Sequence, residues 1–225
     1  MTCMFCIVLK KNHDQKTVVL RKKIDETEIL EIIEEKKTAF FKSLFSRPKK
    51  SDIHIHSVKL YYECILLVSG KYVANYFRKA THSISVGSNV SAVVLGDGVF
   101  PVRTKSNFKK AIVGKRGKNK VDLKLEEHVF VENEDELTFD HHGREIKFPF
   151  KLNSKTTENY PNRLLEKNSS NIKNCELTHD DAIKKLQSFL KKPLKDEVRK
   201  LEEEFVLREI SEVYVPIYEA RLIGP

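Results

Sequence analysis

The chain is poor in the residues that make fibrous, low-complexity or disulfide-stapled proteins. Of 225 residues only 8 are Gly, 7 Pro and 4 Cys, which excludes a collagen repeat, a Pro/Gly-rich disordered chain and a knottin-like scaffold. No segment approaches the roughly 18 consecutive apolar residues that a membrane-spanning helix needs. Met1 opens onto a short apolar run without the basic stretch that begins a secretion signal. Cys3, Cys6, Cys64 and Cys175 are too sparse for a disulfide framework, so reduced thiols and a cytoplasmic location are expected. The Gly-x-Ser-x-Gly elbow, the Walker loop and the His-Glu-x-x-His pair are all missing. What is present, 40% apolar and 32% charged residues, suits one or two globular domains with enough core to fold unaided.

Negative charge is scarce in the first part of the chain. Residues 1–120 carry 24 Lys and Arg against 10 Asp and Glu, whereas residues 121–225 carry 17 against 22. This segregation within a formal net charge of +9 predicts a basic surface on one part of the molecule and an acidic one on another. It is sharpest over residues 105–120, where Lys105, Lys109, Lys110, Lys115, Arg116, Lys118 and Lys120 stand without an acidic residue among them. A basic loop containing Gly114 and Gly117, with Phe108 as a stacking surface, can follow a phosphate backbone, each neutralised phosphate releasing a counterion. Arg47, Lys49 and Lys50 make a second basic patch.

Local patterning predicts an α+β fold with a mostly antiparallel sheet. Residues 3–10 and 16–22 are β-rich and separated by the turn formers Asn12, His13, Asp14 and Gln15, which predicts an N-terminal hairpin. Asp25 followed by Glu28 is a capping box, so a helix should start there. Its stripe Ile29, Ile33, Phe40 and Leu44 runs to about residue 46 and is read as core rather than as a lipid-contacting face. From residue 52 to about 152 the pattern is a meander of short strands. Turns are expected at Ser69-Gly70, Gly87-Ser-Asn89, Gly96-Asp-Gly98 and His141-His142-Gly143. Thr178 caps a helix lined by Ile183, Leu186 and Leu190. Pro193 should open a second helix, in which Leu194, Val198, Leu201 and Phe205 keep helical spacing. A strand from residue 212 to 223 closes the chain and is expected to join the earlier sheet. The organisation predicted is therefore a hairpin and amphipathic helix over 1–50, a β-rich region over 51–152, a polar linker over 153–175 and a helix–strand unit over 176–225.

Two constellations have metal-ligand spacing. Cys3-x-x-Cys6 places two thiols where they can share one tetrahedral ion, which is half of a zinc site. His54 and His56 share one face of a strand, about 7 Å apart at their origins. Cys64 and Cys175 could complete the thiol site only if the fold brings them together, and the imidazoles have no identifiable third ligand, so burial for the thiols and exposure for the imidazoles are the simpler readings, and no cofactor is expected.

The helix after Thr178 followed by Val215-Pro-Ile-Tyr-Glu-Ala220 resembles the first half of a PepSY-type module, a small helix-plus-sheet unit. That resemblance implies binding or restraint of other proteins; it stops before the family's next strand and its acidic-Gly turn. Taken together, the residues predict a non-catalytic binding or adaptor module presenting a basic surface to an acidic protein. A nucleic-acid-binding protein using residues 105–120 is the alternative, and a metal-dependent enzyme through Cys3, Cys6, His54 or His56 the third reading.

Overall fold

A computed structural model describes residues 8–10, 14–41, 48–102, 119–194 and 198–224. In chain order the elements are β1 (Val8–Lys10), β2 (Asp14–Val19), α1 (Glu26–Phe40), a 3-10 turn (Lys50–Asp52), β3 (His54–Val86), β4 (Ala92–Leu95), β5 (Gly98–Pro101) and β6 (Asn119–Phe139). There follow α2 (Pro161–Lys167), β7 (Ile172–Lys173), α3 (His179–Leu190) and β8 (Val198–Ile223). The fold is α and β mixed, as the patterning indicates, but the sheet is mixed rather than mostly antiparallel. Its path is β1-β8-β3-β6, with β2 added to β8 and β7 added to β3. Both added strands run parallel to their partners, Val18 facing Val213 and Tyr62 facing Ile172. β4 and β5 form a separate antiparallel hairpin.

The elements set by local chemistry form where expected. The Asp25 carboxylate accepts from the N–H groups of Thr27 (2.8 Å) and Glu28 (2.9 Å), and Glu28 reaches back to the Asp25 N–H (3.1 Å), so α1 begins on a complete capping box. Thr178 accepts from Asp181 N–H (3.2 Å) and opens α3, whose Ala182, Leu186 and Leu190 are buried. Gly96 turns the β4–β5 hairpin at φ +57° and Gly143 the His141-His142 turn at φ +75°, conformations that glycine adopts without a Cβ clash.

Four expectations fail, each because a distant partner outweighs the local pattern. Among the described residues the N-terminal runs do not pair with each other; β1 and β2 both pair with β8, whose Val213 and Val215 supply buried apolar surface. Ser69-Gly70 is not a turn, for β3 runs through it unbroken. The separate strands expected between residues 121 and 140 are one strand, β6, and the strand expected over residues 145–152 is reduced to a single bridge of Glu145 with Phe139. The residues spaced for a helix after Pro193 enter β8, in which Phe205 and Leu207 alternate inward against β3. The stripe of α1 is also not all core: Phe40 is 75% exposed, while Lys37, 7% exposed, is buried with its ammonium 2.9 Å from Glu34. Leu44 lies outside the described residues.

The described residues fall into two compact units. One comprises those of 1–8, 73–132 and 192–204, the other those of 9–72, 133–191 and 205–225. The core of the second unit holds Leu20, Ile65, Leu67, Val213 and Val215, with Phe148 and Phe150 packed on it. Beside this lies a cluster of Val19, Tyr62, Cys64 and Tyr214. In the first unit Ala74, Tyr76, Val121 and Leu123 are buried.

Candidate functional site

The second unit contains a cleft of about 620 Å³ whose rim is basic and whose floor is apolar. Its first wall is the link from β2 to α1. Leu20 anchors this link: its side chain is buried in the core cluster and its N–H donates to the Tyr214 carbonyl at 2.9 Å. The next residue, Arg21, donates its own N–H to the Thr156 carbonyl (2.9 Å) and Nε to the Thr157 carbonyl (2.8 Å). Those partners are neutral, so the guanidinium is positioned while its charge stays uncompensated. Lys22 and Lys23 follow, both exposed, before the Asp25 cap.

The polar segment after residue 148 lines the cleft too and pairs with this link through an antiparallel bridge between Leu20 and Thr157. Asn153 Oδ1 accepts from the N–H groups of Lys155 (2.9 Å) and Thr156 (3.1 Å), a side-chain-closed turn. Thr156 Oγ1 donates to the Lys151 carbonyl at 2.6 Å. This turn holds Lys151 and Lys155, again both exposed, at the rim. The floor is made by Val215 and Pro216 of β8, with Leu20 and Phe150; Phe150 is braced edge-to-face by Phe148 at 5.7 Å between centroids.

Five cations therefore border the cleft, and no Asp or Glu stands among its lining residues. Among the described residues, none forms an ion pair with Lys22, Lys23, Lys151 or Lys155. Asp25, Glu26 and Glu28, of the cap and first turn of α1, line the neighbouring hollow together with Lys22 and Lys23. Asp25 and Glu28 are engaged in capping. Tyr218 lies between the two hollows, its hydroxyl donating to the Ile24 carbonyl (3.4 Å); burial, and then Glu26 and Asp25, push its phenol above the ordinary range.

A second group of titratable side chains lies around Cys64. His179 Nε2 lies 2.9 Å from Glu212 Oε1, and Tyr214 donates to Glu212 Oε2 at 3.2 Å. Cys64, 1% exposed, packs on Tyr214 with Cys175 alongside. Burial first, and then the Glu212 charge, push the Cys64 thiol up to about 12. Burial and the Glu212 charge thus keep the Cys64 thiol in its protonated, less nucleophilic form near neutral pH.

The residues singled out in the sequence divide into two sets. Lys105, Lys109, Lys110, Lys115, Arg116, Lys118, Arg47, Cys3 and Cys6 lie outside the described residues. Lys120 is exposed near the start of β6, and Lys49 and Lys50 are exposed at the 3-10 turn. His54 and His56 are both exposed on β3, and no group of three or more His, Cys, Asp or Glu among the described residues is placed to hold a metal ion. No helix among them is long and apolar enough to cross a membrane. The cleft itself was missed. Its signals were the run Arg21-Lys22-Lys23 before a capping box and the isolated Lys151 and Lys155, but nothing in the sequence shows that segments about 130 residues apart close on one another.

Comparison with protein-family models, with curated proteins and with solved structures finds no match. The PepSY-type likeness of the C-terminal residues thus rests on those residues alone.

Proposed function

We propose that the chain is a non-catalytic binding module that presents a basic surface to an acidic partner. The observation that carries this reading is the cleft rim: five cations drawn from two separate segments, with no carboxylate among the lining residues to neutralise them. Keeping like charges together is unfavourable in the free protein, and an acidic partner relieves it. Residues 105–120 would extend the same preference, since seven cations stand there without an acidic residue.

Fluorescence anisotropy of a labelled oligo-glutamate peptide, titrated with the intact chain at about 20 and about 200 mM salt, tests the reading. Binding that weakens steeply with salt, and that is lost in the charge reversal Lys22→Glu, Lys23→Glu, Lys151→Glu, supports it. Absence of binding even at the lower salt overturns it.

A second reading, single-stranded nucleic acid, is favoured by the first unit. Phe77 and His128 stack there at 4.6 Å between centroids with an interplanar angle of 18°, and the Lys200 ammonium lies 5.5 Å from the Phe77 centroid. Phe130, 63% exposed, is two residues on from His128 and shares its face of β6. Exposed aromatic rings beside lysines on a sheet face are what base stacking uses. Under this reading labelled RNA or single-stranded DNA binds, Phe130→Ala weakens it, and the cleft charge reversal leaves it unchanged.

A further inference from the structure

We propose that the cleft binds a small amphipathic acid, an alkyl or aryl chain that ends in a phosphate group, taken up as single molecules. The inference rests on the reading of this surface as one for acidic partners and names the ligand that the cleft itself admits. Three observations lead to it. The cleft is built before any ligand arrives, because the segments that line it are held to one another. Leu20 N–H donates to the Tyr214 carbonyl and Arg21 N–H to the Thr156 carbonyl, each at 2.9 Å, and the Tyr218 hydroxyl donates to the Ile24 carbonyl at 3.4 Å. The volume, about 620 Å³, falls among small-molecule sites, which run from about 300 to about 1,000 Å³. The lining joins two chemistries: Leu20, Ile24, Pro149, Phe150, Val215 and Pro216 are apolar, and Arg21, Lys22, Lys23, Lys151 and Lys155 are cationic.

That mixed lining selects the ligand. A purely charged molecule leaves the apolar side chains in contact with water, and a neutral hydrocarbon leaves the cations without a counterion. A chain with an acidic end answers both. A doubly charged phosphate is favoured over a carboxylate because attraction to several cations grows with the charge of the ligand, and lysine meets phosphate as a point charge. The Arg21 guanidinium donates to neutral oxygens, the Thr157 carbonyl at 2.8 Å and Asn159 Oδ1 at 3.4 Å, so its charge remains to be met. Asp25, Glu26 and Glu28 line the adjoining hollow and not the cleft, and Asp25 and Glu28 are bound in the α1 cap.

Calorimetric titration of the intact chain with butyl, hexyl and octyl phosphate, kept below micelle formation, tests the proposal. Affinity should rise by up to about fourfold for each added methylene, the gain from burying one such group. Octyl phosphate should bind at least about tenfold more tightly than inorganic phosphate or octanol. In NMR titrations the methyl resonances of Leu20, Ile24 and Val215 should move. Reversal of four charges together, Lys22→Glu, Lys23→Glu, Lys151→Glu and Lys155→Glu, should abolish binding with an unchanged circular dichroism spectrum, because all four side chains are exposed. Affinity independent of chain length, shifts confined to other residues, or binding that survives the charge reversal overturns the proposal. Octanoate bound as tightly as octyl phosphate overturns the choice of a phosphate. Binding to phosphatidylserine vesicles without binding to octyl phosphate overturns it in favour of a lipid surface. If oligo-glutamate binds at low salt and octyl phosphate does not, this proposal fails and the acidic-partner reading stands; failure of both ligands overturns both.

Discussion

Replacing Gly70 by Ala measures how tightly β3, β8 and α3 close on one another in the second unit. A Cβ at this position would lie 3.0 Å from the Val206 carbonyl oxygen, 3.1 Å from Leu186 Cδ2 and 3.2 Å from Phe205 Cζ. Leu186 and Phe205 are fully buried, and the nearest atom is backbone, so none of the three neighbours can simply swing into solvent. Gly70 is not in the left-handed region, which among the described glycines only Gly96 and Gly143 occupy, so crowding is the cost of the substitution. Overpacking of this kind costs about 1–3 kcal/mol, and the lower chain entropy of Ala in a strand returns about 0.5–1 kcal/mol. The expected net loss is about 0–2.5 kcal/mol, or a melting point lower by up to about 10 °C for a chain of this size. Leu186→Ala alone should cost about 2–5 kcal/mol through the cavity it leaves. In the double variant the new methyl enters part of that space, so the combined loss should fall short of the sum by at least about 0.5 kcal/mol. Urea unfolding followed by circular dichroism, with unchanged m-values, gives all four stabilities. A Gly70→Ala protein more stable than the parent, or strict additivity in the cycle, refutes the packing argument.

Three further outcomes follow from the same structure. Asp25→Ala removes both accepted cap bonds of α1 and should cost about 0.5–2 kcal/mol, with faster hydrogen exchange at Thr27 and Glu28, while Asp25→Asn should retain most of the stability. The folded chain holds the Cys64 proton to about 12, whereas the unfolded chain releases it near the ordinary thiol value of 9.0. Stability should therefore be insensitive to this group below about pH 9 and fall between about pH 9 and 12, by up to about 1.4 kcal/mol per pH unit, with Cys64→Ala removing that part of the slope in alkaline urea titrations. In iodoacetamide labelling near pH 8 read by mass spectrometry, Cys64 should react only at the rate of unfolding, and Cys175, whose thiol is also raised by burial, more slowly than a free thiol.

Short-range chemistry made part of this fold legible. The caps at Asp25 and Thr178, the Gly96 turn and the Gly143 turn are settled by groups within four residues of one another, and they form where the residue types place them. The short helix α2, with Pro161 at its first turn, follows the same logic. Strand pairing obeys a different rule. Leu194, Val198, Leu201 and Phe205 satisfy helical spacing, yet from Val198 onward they run as strand because β3 offers hydrogen bonds and an apolar face that an isolated helix would lack. Gly70 reads as a turn residue until the backbone of Val206 is seen beside it. The N-terminal runs read as a hairpin until β8, some 200 residues away, takes both.

The candidate site divides in the same way. The sequence by itself determined the excess of cations, its concentration in the first 120 residues and the lack of any hydrolase or nucleotide-binding signature, because composition and short motifs carry that information. Only the tertiary structure decided that Arg21, Lys22 and Lys23 line one cleft with Lys151 and Lys155, and that Cys64 is buried. Charge and helix caps are properties of neighbouring residues, whereas a cleft exists only once two remote segments have been bonded to a common strand, here β8 holding Leu20 through the Tyr214 carbonyl and Thr156 holding Arg21.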